Sequence, residues 1–222
     1  MKRRVYVYRA FERFWHWAQA VLVLFLALTG FEIHGSLAFF GFEQAVEYHS
    51  NAAWALIVLI VFAIFWHLTT GEWKHYIPTR AFITAQANYY LFGIFRGAPH
   101  PVKKTVLTKL NPLQRIVYFG LKIFLIPVIL TTGLVYMLYR FPQSGGVEAL
   151  NIQTLETVAV LHTIGAYLLL AFLIAHLYLI TTGDSVFSNL KAMLTGWEEL
   201  HIDQRDAPEA VPTSHHSLEG KS

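Results

Sequence analysis

The chain has 222 residues, of which 55% are hydrophobic and only 14% are charged, and its mean hydropathy is +0.44. A soluble domain carries about 25% charged residues, so this composition indicates an integral membrane protein with little length left for a soluble domain. Cysteine is absent, which excludes disulfides, thiolate iron–sulfur clusters, covalently attached haem and cysteine zinc sites. The net charge of +3 follows from membrane topology and does not indicate nucleic-acid binding.

Four apolar segments have the length of about 20 residues that one bilayer crossing requires. They cover residues 15–33, 50–70, 112–139 and 155–182. Because backbone groups in lipid must be satisfied within the segment, each is predicted to be a helix. The predicted fold is therefore all-α, an integral membrane four-helix bundle over residues 1–200, followed by a polar, disordered tail over 201–222. The first span lacks a following small-residue cleavage site, so we expect it to be retained rather than removed as a signal peptide.

Lysine and arginine are distributed unevenly among the segments outside the spans. Five precede the first span and six lie between the second and third, whereas residues 34–49 and 141–154 contain none. By the positive-inside rule, both termini and the long middle loop are predicted to be cytoplasmic. The outer loops instead hold Glu43, Glu47 and Glu148, which indicates a mildly acidic docking face.

Two shorter stretches are predicted to be helices that lie on the cytoplasmic membrane surface. Residues 81–95 are rich in aromatic side chains but too short to span a bilayer, and apolar residues recur at helical spacing over 186–197.

Four histidines fall at two matching depths in the predicted bundle. His162 and His176 are fourteen residues apart in the fourth span, so they share one helix face at a separation of about 21 Å. His16 begins the first span at the inner level of His176. His49 begins the second span at the outer level of His162.

Two imidazoles at each depth would fill both axial positions of a haem iron, and such haems carry electrons without binding a substrate. We therefore expect two non-covalent haem b groups, with the lipid bilayer around the helices. The alternatives are a non-redox membrane anchor or transporter with structural histidines, and a membrane metal oxygenase. An oxygenase would gather its histidines at one membrane face, whereas these are split between two faces, and the adjacent pair His215-His216 lies in the polar tail.

His67 has a second interpretation in this scheme. It lies eighteen residues after His49, about 27 Å along the helix, which places it below the level of His176. We expect His16 to be the inner partner of His176, with His67 as the alternative ligand. Otherwise His67 would lie at the inner surface, near a haem propionate or a quinone head group.

Small residues at the same depths would let a flat macrocycle approach the helices closely. Gly30 lies fourteen residues after His16, and Gly165 lies about one turn from His162. Both are predicted to pack against haem.

The segment Arg13-Phe14-Trp15-His16-Trp17 contains an Arg-x-x-His-Trp motif that resembles bacterial di-haem cytochrome b membrane subunits. These subunits serve nickel–iron hydrogenases, formate dehydrogenases and thiosulfate or tetrathionate reductases. The resemblance covers about residues 5–200. The stretch 111–115, Asn-Pro-Leu-Gln-Arg, together with Tyr118, is most similar to the thiosulfate-reductase branch.

The resemblance implies the same ligands, one from the first helix, one from the second and two from the fourth: His16, His49, His162 and His176. In some members the counterpart of His67 is not a ligand. The resemblance also implies a transmembrane electron-transfer subunit in the bacterial cytoplasmic (inner) membrane, which exchanges electrons with a quinone or menaquinone pool on the inner side. Its partner would be a periplasmic multihaem cytochrome or an iron–sulfur catalytic subunit, without which no periplasmic substrate is turned over.

The same resemblance places the quinone at the inner ends of the helices. The candidates for contact with the quinone or with haem propionates are cationic, aromatic or acidic side chains at that level: Arg9, Arg13, His67, Trp73, Lys122 and Asp184.

Overall fold

The computed structural model describes residues 2–78, 82–98, 110–140, 152–183 and 185–201. In chain order its elements are β1 (Lys2–Tyr6), α1 (Ala10–Ile33), α2 (Phe42–Thr70), α3 (Ile83–Asn88), α4 (Pro112–Gly120), α5 (Ile126–Arg140), α6 (Ile152–Ile180), α7 (Ser188–Thr195) and β2 (Trp197–His201). Helices α4 and α5 are continuous through a π-type turn at Leu121–Leu125. The described residues contain four helices long and apolar enough to cross a membrane, which confirms the predicted all-α membrane fold.

Two spans begin earlier than the apolar pattern predicts. Helix α1 starts at Ala10 and α2 at Phe42, because polar residues that are compatible with helix extend each span beyond its lipid-facing part. The start of α2 at Phe42 puts His49 two turns inside the helix rather than at its beginning.

The third span starts at a strong local signal. Asn111 caps α4: its side chain accepts a hydrogen bond from the Gln114 backbone at 2.8 Å, and the Gln114 side chain accepts one from the Asn111 backbone at 3.0 Å. Pro112 occupies the first helical turn, where a missing N–H costs nothing. Farther along the span, Pro127 has no N–H with which to hydrogen-bond the preceding turn. The π-type turn, which contains Lys122, ends just before this proline.

The shorter elements outside the spans are partly as predicted. The predicted helix over 81–95 is a short helix, α3, followed by a π-type turn at Tyr89–Gly93 and a 3-10 turn at Ile94–Arg96. The predicted helix over 186–197 is the shorter α7. The tail from residue 202 lies outside the described residues.

A two-stranded ribbon joins the beginning of the chain to the segment after α7. Strands β1 and β2 pair antiparallel, with Arg4 opposite Glu199 and Tyr6 opposite Trp197. The backbone of Val7 donates to the Gly196 carbonyl at 2.8 Å. The hydrophobic pattern gave no indication of this ribbon, and it places the two ends of the described chain on the same side of the four spans.

The spans form two helical hairpins. Helices α1 and α2 pack closely against one another, as do α5 and α6, whereas backbone approaches between the two hairpins are few. Within the described residues, few apolar side chains are buried, and most of these belong to α2: Ala45, Ala52, Leu56 and Ala63. Close contacts among the described residues are therefore concentrated within each hairpin rather than between the two.

Candidate functional site

The inner histidine pair bridges the two hairpins. The rings of His16 on α1 and His176 on α6 have their centres 6.1 Å apart, with an angle of 51° between their planes. Phe172 stacks on His176 at 5.9 Å, and Trp17 meets the edge of His16 at 5.3 Å. The buried Nδ1 of His16 has no hydrogen-bond partner among the described residues.

The outer pair repeats this bridge nearer the other membrane face. The ring centres of His49 on α2 and His162 on α6 are 6.3 Å apart, and their planes are inclined at 71°. His49 Nδ1 lies 3.0 Å from the Thr29 hydroxyl, and His162 Nδ1 lies 3.1 Å from the Thr132 hydroxyl. In both rings the Nδ1 side is therefore occupied by a hydroxyl, which leaves Nε2 as the nitrogen that could bind a metal ion.

The two ring separations agree with the geometry of a shared metal ion. An imidazole nitrogen binds a transition metal at about 2.0 Å and the ring centre lies about 1.2 Å behind it, so two rings that shared one metal ion would have centres up to about 6.4 Å apart. Direct ring packing would instead bring aromatic rings to about 4.5–7 Å in the absence of any ion, so the distance alone is not diagnostic. The further observation that fits a haem group here is that the two hairpins approach each other at few places apart from these rings.

Two glycines give the outer histidines their space. A methyl group added at Gly30 would lie 3.5 Å from His49 Cε1, and one added at Gly133 would lie 3.1 Å from His162 Cε1. Gly165 has a different neighbour, because a methyl group there would lie 2.6 Å from a side-chain carbon of Ile129. Gly165 thus lies in the α5–α6 contact, and its role in haem packing stays a prediction.

His67 does not approach either histidine pair through a described contact. Its Nδ1 donates to the Ala63 carbonyl at 2.6 Å, and its Nε2 lies 3.4 Å from the Tyr76 hydroxyl. Trp15 meets the His67 ring at 5.5 Å and precedes His16 in the sequence. His67 therefore does not contact the inner pair directly; the indole of Trp15, which precedes His16, lies against the His67 ring.

Lys122 lies above this group of aromatic rings. Its ammonium group is 3.2 Å from the centre of the Tyr76 ring and 5.6 Å from the Trp15 ring, a cation–π arrangement. Burial raises the pKa of Tyr76 well above its ordinary value, so its phenol stays a hydrogen-bond donor at neutral pH. We name Trp15, His67, Tyr76 and Lys122 the inner aromatic cluster; the sequence analysis did not anticipate Tyr76.

The remaining inner candidates lie outside the inner aromatic cluster. Arg13 donates to the Leu194 carbonyl at 2.6 Å, which ties α1 to α7. Arg9 caps α1 and pairs with Glu72 at 3.8 Å, and Trp73 is exposed. Asp184 lies outside the described residues.

Sequence reasoning missed one anchor at the outer face. Glu32, near the end of α1, is buried, and its Oε1 accepts hydrogen bonds from the backbones of Phe39, Phe40 and Gly41 at 2.6–2.8 Å. This carboxylate closes the loop before α2 and so fixes the helix that carries His49. An acidic residue within a predicted span was the signal that could have identified it.

The described residues contain no group of three or more histidine, aspartate or glutamate side chains that could hold a metal ion. The arrangement consists of pairs, and it does not resemble a di-iron oxygenase site in this part of the chain.

Membrane-spanning helices that present paired imidazoles to one another are what a membrane-bound cytochrome b requires. A family model described as prokaryotic cytochrome b561 matches residues 7–196, and the chain belongs to this family. The chain is accordingly a bacterial membrane protein that binds b-type haem and acts in transmembrane electron transfer.

Two relatives are similar over most of their length. The putative cytochrome YdhU of Escherichia coli (strain K12) is 30% identical over 204 residues, which cover 87% of this chain and 74% of the relative. A probable Ni/Fe-hydrogenase B-type cytochrome subunit of Rhizobium leguminosarum bv. viciae is 24% identical over 244 aligned positions, which cover 92% of each chain. Assignment to the thiosulfate-reductase branch stays a prediction.

Proposed function

We propose that the chain conducts electrons across the bacterial cytoplasmic membrane between a quinone pool on the inner side and a redox partner on the outer side. His16 and His176 would hold an inner haem b, and His49 and His162 an outer one. The observation that carries the proposal is that two histidine pairs, with ring centres 6.1 and 6.3 Å apart, join the two hairpins at two different depths of α6.

When bound, the two haems would supply reversible one-electron chemistry at iron. The chain's own contribution would be to hold each haem with two imidazoles, so that no coordination position would remain open to a substrate. Fourteen residues separate the two histidines of α6, about 21 Å along its axis. That single helix would thus set the spacing of the two redox centres.

The inner aromatic cluster supports the quinone part of the proposal. Oxidation of a quinol releases two electrons and two protons, so its site needs a nearby electron acceptor together with groups that bind and accept protons. His67 has an Nε2 acceptor, Tyr76 and Lys122 carry donors, and Trp15 contacts His67 and adjoins His16. We propose that a quinone head group binds beside this cluster.

Acidic and basic groups continue from the cluster towards the cytoplasmic surface. A 3-10 turn, Glu72–Tyr76, follows α2, and Glu72 is buried at its start. The Glu72 carboxylate lies 3.4 Å from the His75 ring nitrogen Nε2 and 3.8 Å from the Arg9 guanidinium. We propose that protons leave His67 by way of Glu72 and His75. Arg9, Arg13 and Trp73 would then border the site at the membrane surface.

The outer partner is proposed from charge and from one relative's name. A hydrogenase cytochrome subunit works with a catalytic subunit, and the exposed Glu43 and Glu47 at the start of α2 give this chain an acidic outer face. A multihaem cytochrome or an iron–sulfur catalytic subunit with a basic surface would match it.

Haem quantitation tests the proposal. The purified protein should contain two low-spin b-type haems per chain, His176→Ala should lose the inner one, and His162→Ala the outer one. A short-chain quinol should reduce the outer haem of the wild type but not that of His176→Ala. The proposal is wrong if the folded wild type contains no haem, or if His176→Ala keeps both haems and normal quinol-driven reduction.

A further inference from the structure

The two outer histidines are held by the same local motif, which occurs once in each hairpin. In α1, Thr29 and Gly30 face His49 of the next helix; in α5, Thr132 and Gly133 face His162 of the next helix. In both places a hydroxyl contacts Nδ1, and the following glycine leaves room for the ring. The motif is thus a threonine–glycine pair that seats an imidazole from the second helix of its own hairpin.

The hydrogen-bond pattern at His162 fixes which ring nitrogen carries the proton. Its Nδ1 lies 3.1 Å from the backbone carbonyl of Ile129 as well as 3.1 Å from the Thr132 hydroxyl. A carbonyl oxygen only accepts hydrogen bonds, so Nδ1 must carry the hydrogen. Nε2 is then left with a lone pair.

The same reasoning applies to His49 through the threonine itself. The Thr29 hydroxyl has a single hydrogen, which it donates to the Phe25 carbonyl at 2.9 Å. Its oxygen is then free to accept from His49 Nδ1 at 3.0 Å. Thr132 makes the equivalent bond to the Val128 carbonyl at 2.6 Å, so both hydroxyls are oriented to act as acceptors for an imidazole N–H.

In the inner pair, at least one histidine lacks such a hydrogen bond to Nδ1. Nδ1 of His16 is buried without a hydrogen-bond partner in the described part of the chain, although it occupies the same helix as Thr29. The chain thus treats its two histidine pairs differently, and the difference lies in the groups behind the ligands.

We propose that Thr29 and Thr132 are positioning residues that tune the outer haem, an inference that rests on the proposed function. A hydrogen bond from Nδ1–H to an acceptor increases the basicity of Nε2. A more basic ligand stabilises ferric iron relative to ferrous iron, and the reduction potential falls. The two hydroxyls therefore lower the potential of the outer haem without touching it, and no equivalent group acts on His16.

The test is redox potentiometry of the full-length protein in detergent, with Thr29→Val, Thr132→Val and the double variant. Valine keeps the shape of threonine and removes the hydroxyl. The outer midpoint should move to a more positive potential in Thr29→Val and farther in the double variant. The shift in Thr132→Val should be smaller, because the Ile129 carbonyl still accepts a hydrogen bond from His162 Nδ1. The expected change in the reduction equilibrium is up to about tenfold per hydroxyl, which is about 59 mV for a one-electron couple. The inner midpoint should not move.

Thr69→Val is the matched control. Thr69 makes the same bonds to the backbone of its own helix, to the Phe65 and Trp66 carbonyls, but it does not contact a histidine among the described residues. Its replacement should leave both midpoints unchanged. Thr29→Ser and Thr132→Ser retain a hydroxyl and should restore the wild-type outer midpoint.

The outcomes separate this inference from the function on which it rests. A wild type without haem would overturn both. A wild type with two haems whose midpoints are unchanged in the double valine variant would overturn only the role of the hydroxyls, as would an equal shift in Thr69→Val. A valine variant could also lose the outer haem. In that case, a serine variant that retains the outer haem with a normal midpoint supports the role of the hydroxyl, and a serine variant that loses the outer haem overturns it.

Discussion

At the scale of single residues, the histidines at positions 16, 49, 67, 162 and 176 of the membrane-spanning helices differ in what lies behind their rings. His49 and His162 contact threonine hydroxyls, and His67 donates to the carbonyl one turn earlier in its own helix. Each hydrogen bond selects the ring nitrogen that remains free. In the outer pair that nitrogen is Nε2, whereas Nε2 of His67 lies 3.4 Å from the Tyr76 hydroxyl. Under the proposed function, the surroundings rather than the residue type would distinguish a haem ligand from a proton carrier.

His67→Ala is the prediction that separates these roles. The variant should keep both haems, because His67 is not in either pair, but reduction of the haems by a quinol should slow at least tenfold, a loss in the range for removing a group that moves protons. Reduction by dithionite, which bypasses the quinone site, should be unaffected. Loss of the inner haem from this variant, with the inner haem retained in His16→Ala, would make His67 the ligand.

Spacing in the sequence predicted the depths of the histidines because an α-helix has a fixed rise per residue. It could not predict Thr29 or Thr132, because a threonine in an apolar helix usually bonds its own backbone, and these two do that as well. Their second contact depends on the rotation of a neighbouring helix, which spacing along one chain does not specify. Tyr76 was missed for a related reason, since it reaches His67 only after the chain turns at Gly71.

At the scale of elements, the two-stranded ribbon of β1 and β2 shows how a surface segment is fixed to the membrane helices. Gly196 ends α7 with φ +85°, and its carbonyl accepts hydrogen bonds from the backbones of Val7 and Tyr8. Arg13 and Trp17 of α1 also donate to carbonyls of α7. The hydrophobic pattern of the sequence could not predict these two short strands, because their apolar residues do not alternate regularly. Their pairing depends on the turn at Gly196.

Gly196→Ala should therefore disrupt the ribbon. A side chain at this positive φ costs about 1–2 kcal/mol on its own, and the added carbon would also lie 2.5 Å from Tyr6 and 2.7 Å from the Tyr8 carbonyl. We expect limited trypsin treatment to cleave within Lys2–Arg4 faster by tenfold or more.

The control is Gly97→Ala, at φ +64° with nothing within 4 Å, which carries the backbone strain without the clash. Equal cleavage rates within Lys2–Arg4 in the two variants would show that the contacts of Gly196 do not hold the ribbon in place.

At the scale of the whole molecule, the bundle consists of two hairpins with sparse packing between them. The apolar side chains that are buried concentrate on α2, and the four paired histidines reach across from one hairpin to the other. Hydropathy predicted the four spans well because length and composition decide membrane insertion. It gave no information about the space between the hairpins, since a helix that faces a macrocycle is as apolar as one that faces lipid.

Orientation is also a property of the whole chain, and it decides which side of the membrane meets the quinone cluster. Helix α2 has 29 residues, about 43 Å at 1.5 Å per residue, so the loops at its two ends lie on opposite faces. The charge distribution predicts that Leu37 is periplasmic and Ile77 cytoplasmic; both are exposed.

Because the native chain has no cysteine, a single introduced thiol reports its own position without background. In intact cells with a permeable outer membrane, a membrane-impermeant maleimide should label Leu37→Cys nearly completely. Ile77→Cys should be labelled only after the inner membrane is broken. The reverse pattern would place the inner aromatic cluster at the periplasmic face, where its protons would be released on the opposite side from the one proposed. Haem content measured on the same samples controls for folding, because a misfolded chain exposes both positions and loses haem.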